Sequence, residues 1–339
     1  MSADSHISDL LTRPRRVVVH TGCRLHFGLL SVGRSTGRQF GGAGVMLEAP
    51  GWKIAFEPSE QDEFFVPGDL QSRVTESLRR LRQSEPSQAK AGIRIEVLGE
   101  LPRHAGLGSG TQLGMAIAKG WNLLSGGPPL PAVELARRVG RGQRSAIGVH
   151  GFDLGGFLIE AGKLGEEISP LTHRADFPAD WRFVLIRPPH AAGLSGTAEL
   201  QGFAELPPMP EATTARLWQL LDESLRPAVA QHNFDVCSEA LYEFGRLVGE
   251  YFSPVQGGIY ASPAMVQLAT RLRRDGIRGI GQTSWGPTLF VLCQDQTAAA
   301  TLTTRLPKIP ECHGCEITIA VPRNRGTDIL VKENKLQIE

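Results

Sequence analysis

The sequence predicts a two-domain protein of the α+β class. Its 339 residues amount to about two average domains of ~150 residues, so each half is long enough to bury a core of its own. Strand and helix patterns occur in both halves, and in the second half they follow the order β-α-β-β-α-β with extra helices. A mixture of strands and helices in this order is typical of the α+β class.

The composition is that of an ordinary globular protein, with 41% hydrophobic and 21% charged residues. The 36 Lys and Arg are balanced by 35 Asp and Glu, which leaves no general excess of charge for a nucleic acid or a membrane surface. Any anion site must therefore be local. No apolar stretch approaches the ~20 residues of a membrane span, and no apolar run of a secretory signal follows the polar first fifteen residues.

Cysteine usage indicates a reducing compartment. Five cysteines in a chain of this length form no regularly spaced framework, which favours free thiols and a cytoplasmic location. Cys312-His313-Gly314-Cys315 has the spacing of half a metal knuckle. Zinc normally takes four ligands, and no second cluster is visible in the sequence.

The first half begins as a sheet after a tail at 1–15 that we expect to be disordered. Glycine clusters separate its β-branched and aromatic runs, and helical spacing of apolar residues first occurs at 69–84. The predicted strands are 16–30, 43–48, 52–57, 92–98 and 155–160, and the predicted helices are 69–84, 111–124 and 131–139. This domain spans 16–172, with a glycine-rich loop at 102–112, and the boundary falls within the polar, proline-containing segment 165–180.

The second half is predicted to be a ferredoxin-like domain over 181–325, followed by a tail at 326–339. Its helix at 296–305 has Asp295 as a capping residue, and a helix at 263–274 ends at Gly276. The remaining elements are strands at 181–186, 277–281, 288–293 and 316–321 and mainly helical patterns over 211–250. The order β-α-β-β-α-β is that of a ferredoxin-like fold.

The segment Leu101–Gly114 lies between a predicted strand and a predicted helix. Its glycines allow the backbone to approach a ligand closely, and the free N–H groups and dipole of a helix N-terminus favour phosphate. Ser109 and Thr111 would add hydroxyl donors. The same pattern also suits a purely structural turn, so spacing alone leaves the two interpretations open.

Leu101–Gly114 resembles the Pro-x-x-x-Gly-Leu-Gly-Ser-Ser motif of the GHMP kinases, and the matching positions are Pro102, Gly106, Leu107, Gly108 and Ser109. Gly276–Leu292 resembles the glycine-rich C-terminal motif of the same superfamily. The likeness extends from about Arg16 to Arg323. It implies a GHMP-kinase-like fold with a ribosomal S5 domain 2-like N-terminal domain and a ferredoxin-like C-terminal domain.

One departure weakens the kinase interpretation. Gly110 stands where the kinases have a second serine, a residue associated with magnesium and the nucleotide phosphates. Phosphoryl transfer depends on positioned metal and cations, so we expect no requirement for ATP. A GHMP-type kinase remains an alternative, and a ligand-binding homologue without catalysis is a third.

Three segments are similar to the β-ribofuranosylaminobenzene 5′-phosphate synthase family in particular. They are Arg24–Leu30 together with Gly41–Val45, then Gly140–Phe152, and Gly281–Gly286. The resemblance implies a decarboxylating transfer from phosphoribosyl pyrophosphate to 4-hydroxybenzoate or 4-aminobenzoate. The products are a C-riboside 5′-phosphate, carbon dioxide and pyrophosphate, a step of methanopterin-type cofactor synthesis. The choice between the two benzoates stays open.

This chemistry needs two anion pockets and donors for a leaving pyrophosphate. We expect catalytic roles for Arg24, His26, His150 and Asp153, of which Asp153 could hold Mg²⁺ or orient a histidine. The expected substrate-binding residues are Arg103, His104, Gly106, Leu107, Gly108, Ser109, Gly110, Thr111, Arg141, Arg144, Ser145, Gln282, Ser284 and Trp285.

Each of these residues also has a structural interpretation. His26 suits a satisfied core histidine, Arg141 and Arg144 suit solvated loop charges, and Trp285 suits a core residue between two strands. The superfamily likeness hints at a homodimer. Small-molecule substrates are expected, without nucleic-acid or membrane partners.

Overall fold

The computed structural model describes residues 14–34, 36–85, 92–189 and 196–332. The first domain contains two sheets. The first sheet has the order β13-β1-β4-β6-β5 and consists of β1 (Arg16–His20), β4 (Lys53–Ser59), β5 (Glu63–Phe65), β6 (Gly92–Gly99) and β13 (Asp328–Lys332). The second has the order β2-β3-β7-β8 and consists of β2 (Cys23–Ser31), β3 (Phe40–Leu47), β7 (Phe157–Glu160) and β8 (Leu171–Ala175).

Four helices complete this domain: α1 (Gln71–Ser84), α2 (Ser109–Leu124), α3 (Ala132–Arg138) and α4 (Ile147–Leu154). Helix α2 is the central one, because almost its whole circumference is buried, as expected for an apolar helix inside a core. Gly120 lets it approach the sheet, since a Cβ there would lie 2.3 Å from the ring of Phe56. The N-terminus of α2 is thereby fixed relative to the strands.

The second domain is a four-stranded antiparallel sheet covered by helices. Its strands are β9 (Arg182–Arg187), β10 (Ile280–Gln282), β11 (Leu289–Cys293) and β12 (Glu316–Ala320), in the order β10-β11-β9-β12. Its helices are α5 (Gly196–Glu205), α6 (Glu211–Gln219), α7 (Arg226–Ala230), α8 (Phe234–Gln256), α9 (Pro263–Arg274) and α10 (Gln296–Arg305). This arrangement confirms the predicted ferredoxin-like β-α-β-β-α-β order, and Asp295 caps α10 by accepting a hydrogen bond from the Ala298 N–H at 2.7 Å.

The two domains share an apolar core. Phe27 of β2 packs against Phe290 of β11 with ring centroids 5.7 Å apart, and Phe290 packs against Phe183 of β9 at 5.8 Å. All three rings are buried. Burial of aromatic surface from both sides fixes the relative position of the domains, which matters for a site formed between them. In the described part of the chain, no helix is long and apolar enough to cross a bilayer.

Several element predictions need correction. The predicted strand 16–30 breaks at Thr21–Gly22, where a Cβ on Gly22 would lie 2.2 Å from the carbonyl oxygen of Leu47, and its halves join different sheets. The helical pattern 211–250 is interrupted before Asn233, whose side chain caps α8. Strands β5 and β8 and helices α4 and α5 were not predicted.

The predicted tail at 326–339 is wrong at 328–332. These residues form β13, which pairs antiparallel with β1 from Arg16 to His20. Arg323, only 1% exposed, holds the approach to this strand by ion pairs with Glu48 at 2.6 Å and Asp328 at 3.1 Å. Residues 1–13 of the predicted N-terminal tail and 333–339 lie outside the described residues.

Candidate active site

A cavity of about 450 Å³ lies where the glycine-rich loop, the start of α2, the loop before α4 and the turn between β10 and β11 meet. Strand β2, through Arg24, and residues of both domains therefore contribute to the cavity. The residues that line it are Arg24, Arg73, His104, Gly106, Gly108, Ser109, Gly110, Thr111, Gly140, Arg141, Gly142, Gln143, Arg144, Ser145, Ser284, Trp285 and Gly286.

The glycine-rich loop forms the turn that leads into α2. Gly106 and Gly108 have φ values of 76° and 78°, a left-handed conformation that glycine adopts without steric cost. Gly108 is the N-cap of α2, and the Trp52 indole N–H donates a hydrogen bond of 2.9 Å to the Ser109 carbonyl. The N-terminal N–H groups of a 16-residue helix are therefore held at the cavity, where they favour an anion.

Hydrogen bonds connect this loop to β2 and to the second domain. The Thr283 hydroxyl donates to the Gly106 carbonyl at 2.9 Å and accepts from the His26 backbone N–H at 3.0 Å. The Ser284 N–H donates to the His26 carbonyl at 3.0 Å. Thr283 of the Gly281–Gly286 segment thus joins the glycine-rich loop to the Arg24–Leu30 segment.

The cavity lining is strongly cationic. Four arginines and one histidine reach it, and no carboxylate side chain lines it among the residues that the structure describes. Arg24 also donates a hydrogen bond of 3.1 Å to the Gly106 carbonyl. The predicted roles of Arg24, Arg141 and Arg144 near an anion thus fit their positions. Arg73 also lines the cavity but was not among the predicted site residues. On α1 it has the spacing of an exposed helix position, and no signal in the sequence connected it to the glycine-rich loop.

A smaller cavity of about 40 Å³ adjoins the first and shares Arg24, Ser145, Ser284 and Trp285 with it. Its other walls are largely apolar and consist of His26, Gly28, Leu29, Val248 and Phe252. His26 is 2% exposed, and its Nε2 has no hydrogen-bond partner among the described residues. Burial and the nearby Arg24 charge hold the pKa of His26 well below its usual range, so the ring is neutral near pH 7.

Trp285 is one of the residues that line both cavities, and it belongs to an aromatic cluster. Its ring centroid lies 4.5 Å from that of Phe252 and 5.2 Å from that of Phe203, the second contact being edge-to-face at 83°. The Arg144 guanidinium lies over the Phe203 ring at 5.2 Å. Trp285 therefore both packs against its neighbours and lines the cavity.

Glu160 lies under the loop that carries Ser145. It is fully buried, and its Oε2 accepts a hydrogen bond of 2.6 Å from the Ala146 N–H just before α4. Burial raises the pKa of this carboxyl to about 7, against the lowering effect of hydrogen bonds from Ser145, Ala146 and Ser169 and of the Arg24 charge. Its bond to Ala146 holds the entry to α4 in place.

Several predicted site residues lie elsewhere in the structure. Arg103 is paired with Asp69 at 2.9 Å and with Glu100 at 3.4 Å, and exposed acidic neighbours of this kind suit a surface position. Leu107 is a core residue, 3% exposed. Neither side chain lines the cavity.

Gln282, His150 and Asp153 also serve neighbouring backbone. The Gln282 Oε1 accepts from the Ala261 N–H at 2.6 Å, and the His150 Nε2 lies 2.8 Å from the Ser169 carbonyl oxygen. Asp153 accepts a 2.7 Å hydrogen bond from the Ala132 N–H at the start of α3. In the structure Asp153 therefore holds the start of α3 and does not line the cavity.

The donor set of the cavity does not fit a magnesium ion held by protein carboxylates, which are the side chains that this ion prefers. Guanidinium groups and hydroxyls line it, and the described residues contain no cluster of three or more His, Cys, Asp or Glu placed to hold a metal. All five cysteines are free thiols.

Comparison with known proteins agrees with this geometry. Residues 72–159 match the GHMP kinases N terminal domain family. The fold resembles homoserine kinase from Cytophaga hutchinsonii (TM-score 0.64, 17% identity, 93% of this chain and 98% of that one). It also resembles mevalonate diphosphate decarboxylase from Enterococcus faecalis (TM-score 0.65, 18% identity, 94% and 99%). The fold is thus that of the GHMP kinases, as predicted.

Two curated relatives are more specific. The β-ribofuranosylphenol 5′-phosphate synthase of Methanothermobacter thermautotrophicus is 28% identical over 303 residues, covering 83% of this chain and 89% of the relative. The enzyme of the same name from Archaeoglobus fulgidus is 27% identical over 332 residues, covering 92% and 99%. Over most of its length, the chain is therefore similar to curated β-ribofuranosylphenol 5′-phosphate synthases.

Proposed function

We propose that this chain catalyses a decarboxylating phosphoribosyl transfer, in which phosphoribosyl pyrophosphate and 4-hydroxybenzoate give a C-riboside 5′-phosphate, carbon dioxide and pyrophosphate. The observation that carries the proposal is the cationic cavity at the N-terminus of α2, whose described lining contains four arginines and no carboxylate. Such a lining suits a donor with two anionic groups, a phosphate and a diphosphate, better than a neutral alcohol. The relatives' name specifies a phenol product, which favours the hydroxybenzoate over 4-aminobenzoate.

The donor side of the reaction needs charge stabilisation. As the bond between ribose C1 and the pyrophosphate oxygen breaks, C1 becomes positive and the leaving group gains negative charge. Arginine guanidinium groups and the N–H groups of the first turn of α2 would hold the anionic groups from the moment of binding. Magnesium remains part of the proposal as an ion bound by the substrate's own phosphates, where it would supply additional positive charge to the leaving group.

The acceptor side needs little acid–base chemistry. The ring carbon that bears the carboxylate forms the new bond to C1, and loss of carbon dioxide returns the electron pair of the broken C–C bond to the ring. No strong base is required. We assign the 4-substituent of the ring to the small cavity, where the neutral His26 offers an unused Nε2, and the ring to its mouth beside Trp285.

The direct test is to incubate the purified protein with phosphoribosyl pyrophosphate, magnesium and carboxyl-labelled 4-hydroxybenzoate. Labelled carbon dioxide and an equal amount of pyrophosphate should appear together. Arg24→Ala should abolish the release, whereas Arg103→Ala, which removes an arginine outside the cavity, should retain it. Folded protein that releases no carbon dioxide with either benzoate would contradict the proposal.

An ATP-dependent kinase is the second candidate, because the fold is shared with kinases such as homoserine kinase and the Pro102–Ser109 loop resembles theirs. It predicts that ATP, added with a small alcohol, is consumed in a manner that depends on this loop. Gly110 disfavours it, since the hydroxyl that the kinases have at this position is missing.

A further inference from the structure

Two arginines from different elements converge on Gly110 at the start of α2. A Cβ at Gly110 would lie 3.6 Å from the Nη1 atom of Arg73, on α1, and 3.7 Å from the Nη1 atom of Arg141, in the loop after α3. Both side chains line the cavity. Because Gly110 has no side chain, the space between the two guanidinium groups and the helix N-terminus is left to a ligand.

These two charges lack a neutralising group within the described residues, where neither arginine forms an ion pair with a carboxylate. Arg80 is near them, but Glu76 already pairs with it at 2.6 Å. The pKa of Arg141 is lowered, mainly by burial and further by the charges of Arg73 and Arg80. The Nε of Arg141 is also buried without a hydrogen-bond partner among the described residues.

Like charges brought together in a partly buried place repel one another, and this repulsion is relieved when an anion binds between them. Arginine is suited to that role because its planar fork binds phosphate oxygens in pairs. The helix N-terminus contributes N–H groups at the same point. The arrangement therefore favours an extended anion with several oxygens over a single small ion.

We propose that Arg73 and Arg141 form a diphosphate subsite, separate from the anion position beside Arg24 and the Gly106–Ser109 turn. The inference rests on the proposed function for its ligand: a phosphoribosyl pyrophosphate molecule has two anionic ends, which need two positions. The Arg73–Arg141 subsite takes the pyrophosphate end. It stabilises the charge that this group gains as the C1–O bond breaks, and the electron pair of that bond leaves with the pyrophosphate oxygen.

The test measures the binding of inorganic pyrophosphate and of ribose 5-phosphate by calorimetry, in buffer containing EDTA. Wild-type protein should bind both probes. Arg73→Ala and Arg141→Ala should each weaken pyrophosphate binding by about tenfold or more, with ribose 5-phosphate binding changed less than about twofold. Arg24→Ala should do the reverse and weaken the binding of ribose 5-phosphate more than that of pyrophosphate.

Arg79→Ala is the matched control. Arg79 lies on the same helix but is exposed and paired with Glu76 at 2.7 Å, so neither affinity should change. Alanine is a good helix former at both positions, and Arg73→Lys, which keeps the charge but not the fork, should recover part of the pyrophosphate affinity. Thermal unfolding of every variant reports whether the fold is intact.

Three results would overturn the inference: wild-type affinity for pyrophosphate in Arg73→Ala, a loss confined to ribose 5-phosphate, or an equal loss in Arg79→Ala. The outcome is separable from that of the proposed function. Pyrophosphate binding that depends on Arg73, without release of carbon dioxide, would retain the subsite and reject the reaction. Normal donor kcat/KM in Arg73→Ala would retain the reaction and reject the subsite.

Discussion

Replacing Gly106 by alanine should weaken the junction between the two domains. Gly106 has a φ of 76°, and a Cβ there would lie 2.4 Å from the carbonyl oxygen of Thr283 and 2.9 Å from that of Gly286. Neither neighbour is a flexible side-chain end; both are backbone of the turn between β10 and β11. The added methyl group must therefore push the glycine-rich loop away from the second domain.

The expected cost follows from two contributions. Left-handed backbone costs a non-glycine residue about 1–2 kcal/mol. Moving the loop also stretches the hydrogen bond from the Thr283 hydroxyl to the Gly106 carbonyl, which is 2.9 Å long and contributes about 1 kcal/mol. Together they predict a loss of about 2–3 kcal/mol, or a Tm lower by roughly 3–4 °C for a chain of this length. Because a misplacement of ~1 Å in a site can cost ~10²-fold in rate, activity should fall more steeply than stability.

The assay is thermal and urea unfolding of Gly106→Ala beside Gly110→Ala. Gly110 lies two residues into α2, where the new Cβ would make contacts of 3.6 Å and 3.7 Å, both at ordinary van der Waals distance. Alanine in a helix is favoured over glycine by about 0.5–1 kcal/mol, so this variant should be at least as stable as the wild type. Equal unfolding midpoints for Gly106→Ala and wild type would refute the reasoning, as would an equal loss in both variants.

Three further results are expected. The buried carboxyl of Glu160 has a pKa of about 7 instead of 4.5. The folded state therefore binds the Glu160 proton more tightly, and the free energy of unfolding falls by up to ~3 kcal/mol as pH rises from about 4.5 to about 7. In Glu160→Gln the urea midpoint should depend less on pH over this range. The same pH profile in the variant and the wild type would contradict the prediction. Trp285→Phe should raise the KM for the benzoate severalfold in steady-state assays, with the donor KM unchanged; a change confined to the donor would count against the ring position. Asp153→Ala should lower the free energy of unfolding by about 1 kcal/mol, because the Ala132 N–H loses its 2.7 Å acceptor. The Mg²⁺ dependence of the activity should not change. A shifted Mg²⁺ requirement would instead indicate that Asp153 is a ligand.

Local patterns were sufficient for most of the second domain. Its strands and the helix capped by Asp295 have clear periodicity, with turn or capping residues at their ends, so their order could be predicted from the sequence. Pairing between strands that are distant in the sequence could not be predicted in this way. Strand β13 follows a polar stretch with two arginines, and only its antiparallel contact with Arg16–His20 makes it a strand. Helix α4 contains two glycines that obscure a helical pattern.

The site was predictable to the same degree. The motif positions Gly106, Gly108 and Ser109 were recognisable because glycine and serine at a strand-to-helix turn have a direct conformational meaning. Arg73 could not be found, since only the packing of α1 beside α2 brings it to Gly110. Conversely, Asp153 suited a metal site by residue type alone, and its use as a helix cap depends on where α3 begins.

The position of β13 has a consequence for synthesis of the chain. The second domain is inserted between β8 and β13, so the first sheet lacks its edge strand until residues 328–332 have been made. Residues 16–172 expressed alone would leave the outer edge of β1 unpaired, a surface prone to association. On the ribosome, the anion cavity can therefore assume its final form only after nearly the whole described chain has emerged. A circularly permuted gene that joins residue 332 to residue 16, and has its new termini between β12 and β13, should allow the first domain to fold ahead of the second.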